Sequence, residues 1–295
     1  MATIVKFLLL FLLSLLNCAA SAQEIIPSDI TIDNNGILLQ GKFYKSDADG
    51  YLPTVILLQG SPGNTRDVLG LGSRISQQGI NAMTFNYSGT HQSEGKSTIQ
   101  NSLGDISAAL AFLHSSGNIE NFRIDTGLIV LAGYSYGGGM ATTYAIKHPE
   151  VKKLISIAGN DWGQWFDDYL RDPEMKKNTD QNIKKAIEAG ILRMEPGATP
   201  WEMGEAGVDK LDQDLYVIKN AYRLADRNIL IIGGWDDTGP TMERYILPLY
   251  RALKEAKAQN VQITGFQDDH SFGKSRAELA RVITDWIKSQ PKEKQ

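Results

Sequence analysis

Apolar residues along this chain keep two rhythms. Val55–Leu58, Leu128–Leu131, Leu154–Ala158 and Ile229–Ile232 are short apolar runs almost without polar interruption, the pattern of parallel strands covered on both faces. Asn81–Tyr87 and Val261–Phe266 predict two more strands. Between the runs the spacing becomes helical. A helix is predicted from about Thr65 to Gln78, stopped by Gly79, and another over Leu103–Ser116 with Leu103, Ile106, Leu110 and Leu113 on one face. A third follows Gly137 as far as His148, and a last one carries Leu279, Val282, Ile283, Trp286 and Ile287. Strand and helix in alternation predict a parallel sheet with helices on both faces. Only the start departs from this: in Ser28–Tyr44, Ile30 and Ile32 alternate with polar residues and Asn34-Asn35-Gly36 supplies a turn, so a hairpin is expected.

The rhythm breaks after the strand at Leu154–Ala158. The segment between Gly159 and the strand beginning at Asn228 far exceeds the ~2–6 residues of an ordinary connection. Its later part predicts a crossover helix, Val208–Arg227, with Leu211, Leu215, Ile218 and Tyr222 inward, which leaves Asn160–Gly207 as an insertion. That insertion holds Trp162, Trp165, Phe166, Tyr169 and Trp201 and a helix expected at Asp180–Ala189. Above the ends of strands it is either a lid over a binding site or a packed extension of the body. Beyond Asn228–Ile232, a helical stretch from Thr241 is interrupted near Pro248.

Composition changes this picture at the N-terminus. Lys6, the apolar run Phe7–Leu16 and Ala20-Ser21-Ala22 have the form of a cleavable secretory signal over residues 1–22, so export to a periplasmic or extracellular space is expected. Asn17 before Cys18 fits poorly with a lipoprotein site. Cys18 is the one cysteine and would leave with the signal, so residues 23–295 form an expected single α/β domain without disulfides, capped by an insertion at about 160–207. The formal charge of −4, or −5 without Lys6, is interspersed rather than blocked, which points away from nucleic acid. No later stretch predicts a membrane span.

Candidate chemistry centres on Gly133-Tyr134-Ser135-Tyr136-Gly137, a G-x-S-x-G turn between a buried strand and a helix. So tight a turn leaves Ser135 alone at its apex, with the next helix's N–H groups aimed beside it. A nucleophilic serine needs a base and a group to orient the base. Of four histidines, His114 and His148 stand at helix ends and His91 in a loop, whereas His270 follows the last strand and shares its edge with Ser135. Asp236 and Asp237 follow another strand at that edge. A P-loop, a G-x-G-x-x-G dinucleotide fingerprint and a metal-ligand cluster are all missing from the sequence, and no cofactor or metal is expected.

Four segments, LLQGSPGN, GYSYGG, IIGGWDD and DDHSF with its amphipathic helix, give the chain a resemblance to the α/β-hydrolases over roughly Thr54–Lys288, excepting Asn160–Gly207. The resemblance implies an α/β-hydrolase fold with an inserted cap and a triad in the order Ser, acid, His: Ser135, Asp237 or Asp236, and His270. The acid commonly stands three residues after the strand's last glycine, here Gly234, which favours Asp237. By the same carry-over the backbone N–H groups of Ser61 and Tyr136 bind the oxyanion, while Pro62 has none to give. Two departures are visible. Gln59 stands where histidine is common, and Phe85–Gly95 resembles a D-x-R-G-x-G-x-S segment with Asn86 and Ser88 in place of its charges. The expected function is hydrolysis of a small carboxylic ester through an acyl-enzyme. A short-peptide hydrolase of the prolyl-oligopeptidase-like branch and a binding protein without catalysis are the alternatives.

Overall fold

The computed structural model describes residues 25–64, 66–195 and 212–292. The expected signal, residues 1–22, lies outside them, as do Trp201 and Leu211. Eight strands form one sheet: β1 (Ser28–Asn34), β2 (Ile37–Tyr44), β3 (Leu52–Leu58), β4 (Asn81–Phe85), β5 (Ile124–Tyr134), β6 (Lys153–Ile157), β7 (Asn228–Gly234) and β8 (Asn260–Phe266), in the order β1-β2-β4-β3-β5-β6-β7-β8. The pairs β1–β2 and β2–β4 are antiparallel and every other pair is parallel. The β1–β2 hairpin turns through Asn35 and Gly36, both at positive φ.

Uninterrupted apolar runs make sense in this sheet because alternate residues serve different cores. Ile56, Leu58, Leu131, Leu154, Ile229 and Ile231 face one side, against α2 (Ile99–His114), α4 (Tyr136–Lys147) and α7 (Leu247–Glu255). Val55, Leu57, Val130, Ala132, Ile155, Ile157, Leu230 and Ile232 face the other, against α1 (Leu71–Ser76) and α8 (Arg276–Lys288). Fully burying such a side chain is worth about 1.5–3 kcal/mol, so a polar substitution in either set opposes the sheet itself.

Several elements differ from the sequence expectation for local reasons. The helix expected from Thr65 begins only at Leu71, because Leu69 and Gly70 are left-handed and the Asp67 carboxylate accepts from the N–H groups of Gly72 and Ser73 at 2.7 and 2.9 Å. α2 starts at Ile99 rather than Leu103, its Thr98 hydroxyl accepting from Asn101 N–H, and a short α3 (Ser116–Phe122) follows it. Residues 212–227 are not the expected crossover helix but two 3₁₀ turns, Gln213–Leu215 and Ala221–Leu224. Side chains there outcompete helical bonding: Asp161 accepts from Ile218 N–H, Asp212 from Asp214 N–H, and Asn220 donates to the carbonyls of Gln213 and Tyr216. Tyr222, expected inward, is 65% exposed, while Leu215 is buried.

The insertion holds two helices where one was expected. α5 (Trp162–Arg171) is capped by Asp161, and α6 (Pro173–Glu188) by Asp172 with Pro173 in its first turn. Near residue 241 a π-turn over Met242–Ile246 runs directly into α7, with Pro248 in the first turn of α7. Among the described residues no helix is long and apolar enough to cross a membrane.

Candidate active site

β5 ends in a turn that only glycine can make. A Cβ on Gly133 would lie 2.0 Å from the Gly137 carbonyl oxygen, and one on Gly137 would lie 2.5 Å from that of Leu58. Ser135 between them is held at φ 55°, ψ −116°, a region that side-chain-bearing residues avoid. Its own N–H is tied to the Ile157 carbonyl of β6 at 2.8 Å, and its carbonyl accepts from Gly138 and Gly139 at the start of α4. The strain is thus fixed by sheet and helix together.

His270 arrives from the end of β8. The Asp268 carboxylate folds this loop by accepting from the N–H groups of Asp269, Lys274 and Ser275, and Phe272 anchors it in the core. From the other side the Tyr134 hydroxyl donates to the His270 carbonyl at 2.8 Å, and its ring lies 5.0 Å from the imidazole. Burial, with the nearby Asp237 charge adding to it, pushes the Tyr134 phenol up to about 12, so it remains a neutral donor. Tyr134 was missed in the sequence because both middle positions of G-x-S-x-G admit many residues.

These supports bring three of the expected residues together. His270 Nε2 lies 3.0 Å from Ser135 Oγ, and Nδ1 lies 2.7 Å from Asp237 Oδ2. The Asp237 side chain is fully buried and the imidazole is 38% exposed. Asp237 Oδ1 accepts from Gly239 N–H at 2.8 Å, so the carboxylate cannot swing away. A carboxylate only accepts, which assigns the proton to Nδ1 and leaves Nε2 to accept from Ser135. Asp236 points elsewhere: it is exposed and accepts from the Gln267 amide at 2.8 Å. His148 is at the far end of α4, bonded to Glu150 and stacked on Tyr144.

The loop after β3 lies against the nucleophile, since a Cβ on Gly60 would come within 3.3 Å of Ser135 Cβ. Gln59 does the polar bonding of this loop: its amide nitrogen donates to Thr84 Oγ1 and its oxygen accepts from Asn64 Nδ2, both at 3.0 Å. A Gly63 N–H to Gly60 carbonyl bond closes the turn around Ser61. Among the described residues the N–H groups of Ser61 and Tyr136 have no acceptor, and Tyr136 opens α4, where the helix has none to give. In the loop after β4, Ser88 bonds to Asp105 through both N–H and hydroxyl, at 2.7 and 2.6 Å. Burial raises the Asp105 carboxyl above the usual carboxylate range, although these bonds and one from Asn34 oppose the shift.

A cavity of ≈ 290 Å³ opens beside these donors. It is lined by Ser61, Pro62, Ile99 and Tyr136, by Trp162, Trp165 and Phe166 of α5, by Thr179, Asn182, Ile183 and Ala186 of α6, and by Leu192. The insertion's aromatics therefore do two jobs. Trp162, Phe166 and Tyr169 are buried against the body or each other, and the same α5 surface lines the cavity. α6, by contrast, has no buried residue.

Residues 53–182 match the family described as alpha/beta hydrolase fold. No curated protein matches the sequence. Among solved structures, the acylaminoacyl peptidase of Pyrococcus horikoshii superposes with a TM-score of 0.63 at 16% identity, covering 92% of this chain and 43% of the peptidase chain. This chain therefore spans less than half the length of that peptidase. Est1E from Butyrivibrio proteoclasticus, with ferulic acid bound, gives 0.60 at 16% identity over 88% and 98% of the two chains. An alpha-beta serine hydrolase homologue from Coxiella burnetii gives 0.54 at 16% identity over 88% and 96%. At such identities the likeness is one of fold.

Proposed function

We propose that this protein, whose chain has the α/β-hydrolase fold, is a serine hydrolase that cleaves carboxylic esters of neutral, apolar acids. The observation that carries it is the pair of imidazole contacts, 3.0 Å to Ser135 Oγ and 2.7 Å to the buried Asp237. In the proposed cycle His270 Nε2 takes the Ser135 proton as Oγ attacks the carbonyl carbon, and Asp237 stabilises the imidazolium and holds its tautomer. The N–H groups of Ser61 and Tyr136 receive the oxyanion, helped by the α4 N-terminus. His270 then protonates the departing alcohol, and water, activated by the same imidazole, releases the acid.

The cavity supports the preference for esters of apolar acids. A leaving alkoxide must reach His270, and none of the described residues that line this cavity comes from the ends of β7 or β8, which supports assigning it to the acyl group rather than the alcohol. Among the described residues its lining carries no charged side chain, so none of them would pair with the ammonium of a free amino terminus. Its volume of ≈ 290 Å³ suits a compact acyl group. Both an acylaminoacyl peptidase and Est1E with bound ferulic acid share the fold, so cleavage of short peptides is the competing activity. Export follows from the signal pattern at residues 1–22 and belongs to the same proposal.

A panel of p-nitrophenyl esters and aminoacyl p-nitroanilides tests the substrate class. Ester turnover far above anilide turnover is expected, unaffected by a chelator and lost in Ser135→Ala. The reverse ranking would move the protein to the peptidase branch.

A further inference from the structure

His91 is a histidine in a place made for glycine. Its φ is 46°, left-handed backbone that side chains disfavour, and in the D-x-R-G-x-G-x-S pattern its position is the second glycine. Its main-chain groups are fully used: the N–H donates to the Ile191 carbonyl at 2.8 Å and the carbonyl accepts from Arg193 Nη1 at 2.7 Å. Glycine would make both bonds without strain. What histidine adds is an imidazole whose Cδ2 lies 3.6 Å from the point a Cβ on Gly63 would occupy, with Asn86 Oδ1 2.7 Å from that same point. Both His91 Nε2 and Asn86 Oδ1 are buried, with no hydrogen-bond partner among the described residues. A strained backbone and two orphaned polar atoms therefore meet around one glycine of the loop that carries Ser61.

The opposite side of His91 is held by the insertion. Residues 191–193 return from α6 and pair with the loop after β4: Leu192 bridges Thr90, Arg193 N–H donates to the Gly89 carbonyl at 2.7 Å, and Ser97 N–H donates to the Arg193 carbonyl at 2.8 Å. The Arg193 guanidinium also donates to the Ser93 carbonyl. Leu192 at the same time lines the cavity proposed for the acyl group. Thus Leu192 of the cavity lining pairs with Thr90, the adjoining His91 is bonded to Ile191 and Arg193, and its imidazole stands beside Gly63 in the loop that carries Ser61.

We infer that His91 is a positioning residue: wedged between the cap and Gly63, its imidazole fixes the loop Gly60–Asn64 so that the Ser61 N–H meets the developing oxyanion. This rests on the serine-hydrolase proposal and concerns the transition state rather than substrate affinity. A buttress of this kind acts through placement of a donor, and small misplacements of such donors are costly to rate.

His91→Gly and His91→Gln separate this role from a merely structural one. His91→Gly relieves the left-handed backbone, so its Tm is expected to equal or exceed that of the parent. Its rate constant for reaction with a fluorophosphonate and its kcat on a p-nitrophenyl ester are each expected to fall about tenfold, with KM within about twofold. His91→Gln, which restores a side chain long enough to reach Gly63, is expected to recover most of both rates. Parental rates in His91→Gly would overturn the inference, as would rates equally low in His91→Gln or losses that merely track a lowered Tm. A parent protein that the phosphonate leaves unlabelled would instead defeat the serine mechanism on which the inference stands.

Discussion

Asp236 and Asp237 are neighbours in sequence and opposites in circumstance. The Asp237 carboxylate is fully buried between His270 Nδ1 and the Gly239 N–H, whereas that of Asp236 is at the surface on Gln267. Removing the acid's acceptor role leaves the imidazole free to adopt the wrong tautomer, which costs on the order of 10⁴ in kcat in the chymotrypsin-type case. Asp237→Asn is therefore expected to lose about that much and Asp236→Asn less than about tenfold, both folded by circular dichroism. Swapped effects would place the acid one residue earlier. At this scale much was legible, because Ser135, Asp237 and His270 each follow a separate strand and a parallel sheet delivers those ends to one edge. Tyr134 and His91 were not legible as supports. Their importance comes from which backbone lies beside them, and no spacing along the chain encodes it.

Among the elements, the strands were the most readable and the helical segments the least. A buried parallel strand announces itself as an apolar run, but β5 extends beyond Leu128–Leu131 to Ile124–Tyr134, because Asp125, Thr126, Gly127 and Gly133 interrupt the apolar pattern although Ile124 and Ala132 are buried in the cores. Residues 212–227 show the opposite failure: helical spacing was present, and side-chain bonds from Asp161, Asp212 and Asn220 displaced the helix. Asp161 links these elements. Buried at 1% exposure, it caps α5 through Gln164 N–H and holds Ile218 N–H on the neighbouring segment, each at 2.9 Å. Asp161→Ala removes a cap and orphans a second donor, so a loss of about 1–3 kcal/mol in unfolding free energy is expected by urea titration. Because α5 lines the cavity proposed to take the acyl group, KM for the ester is expected to rise as well. An unchanged midpoint and KM would mean that the cap is held by its aromatic packing alone.

For the whole molecule, fold and chemistry have one source. A sheet with cores on both faces fixes the ends of β3, β5, β7 and β8 relative to one another, and those four ends carry Ser61, Ser135, Asp237 and His270. The insertion adds the cavity next to Ser61 and Tyr136, which the proposal assigns to the acyl group. The central claim is that Ser135 is the nucleophile, and it is tested most directly by locating a covalent adduct. After incubation with a fluorophosphonate, intact-mass measurement is expected to show a single addition, and peptide mapping to place it on Ser135, with none formed in Ser135→Ala or in heat-unfolded protein. An adduct on another residue, or ester turnover that persists in Ser135→Ala, would contradict it.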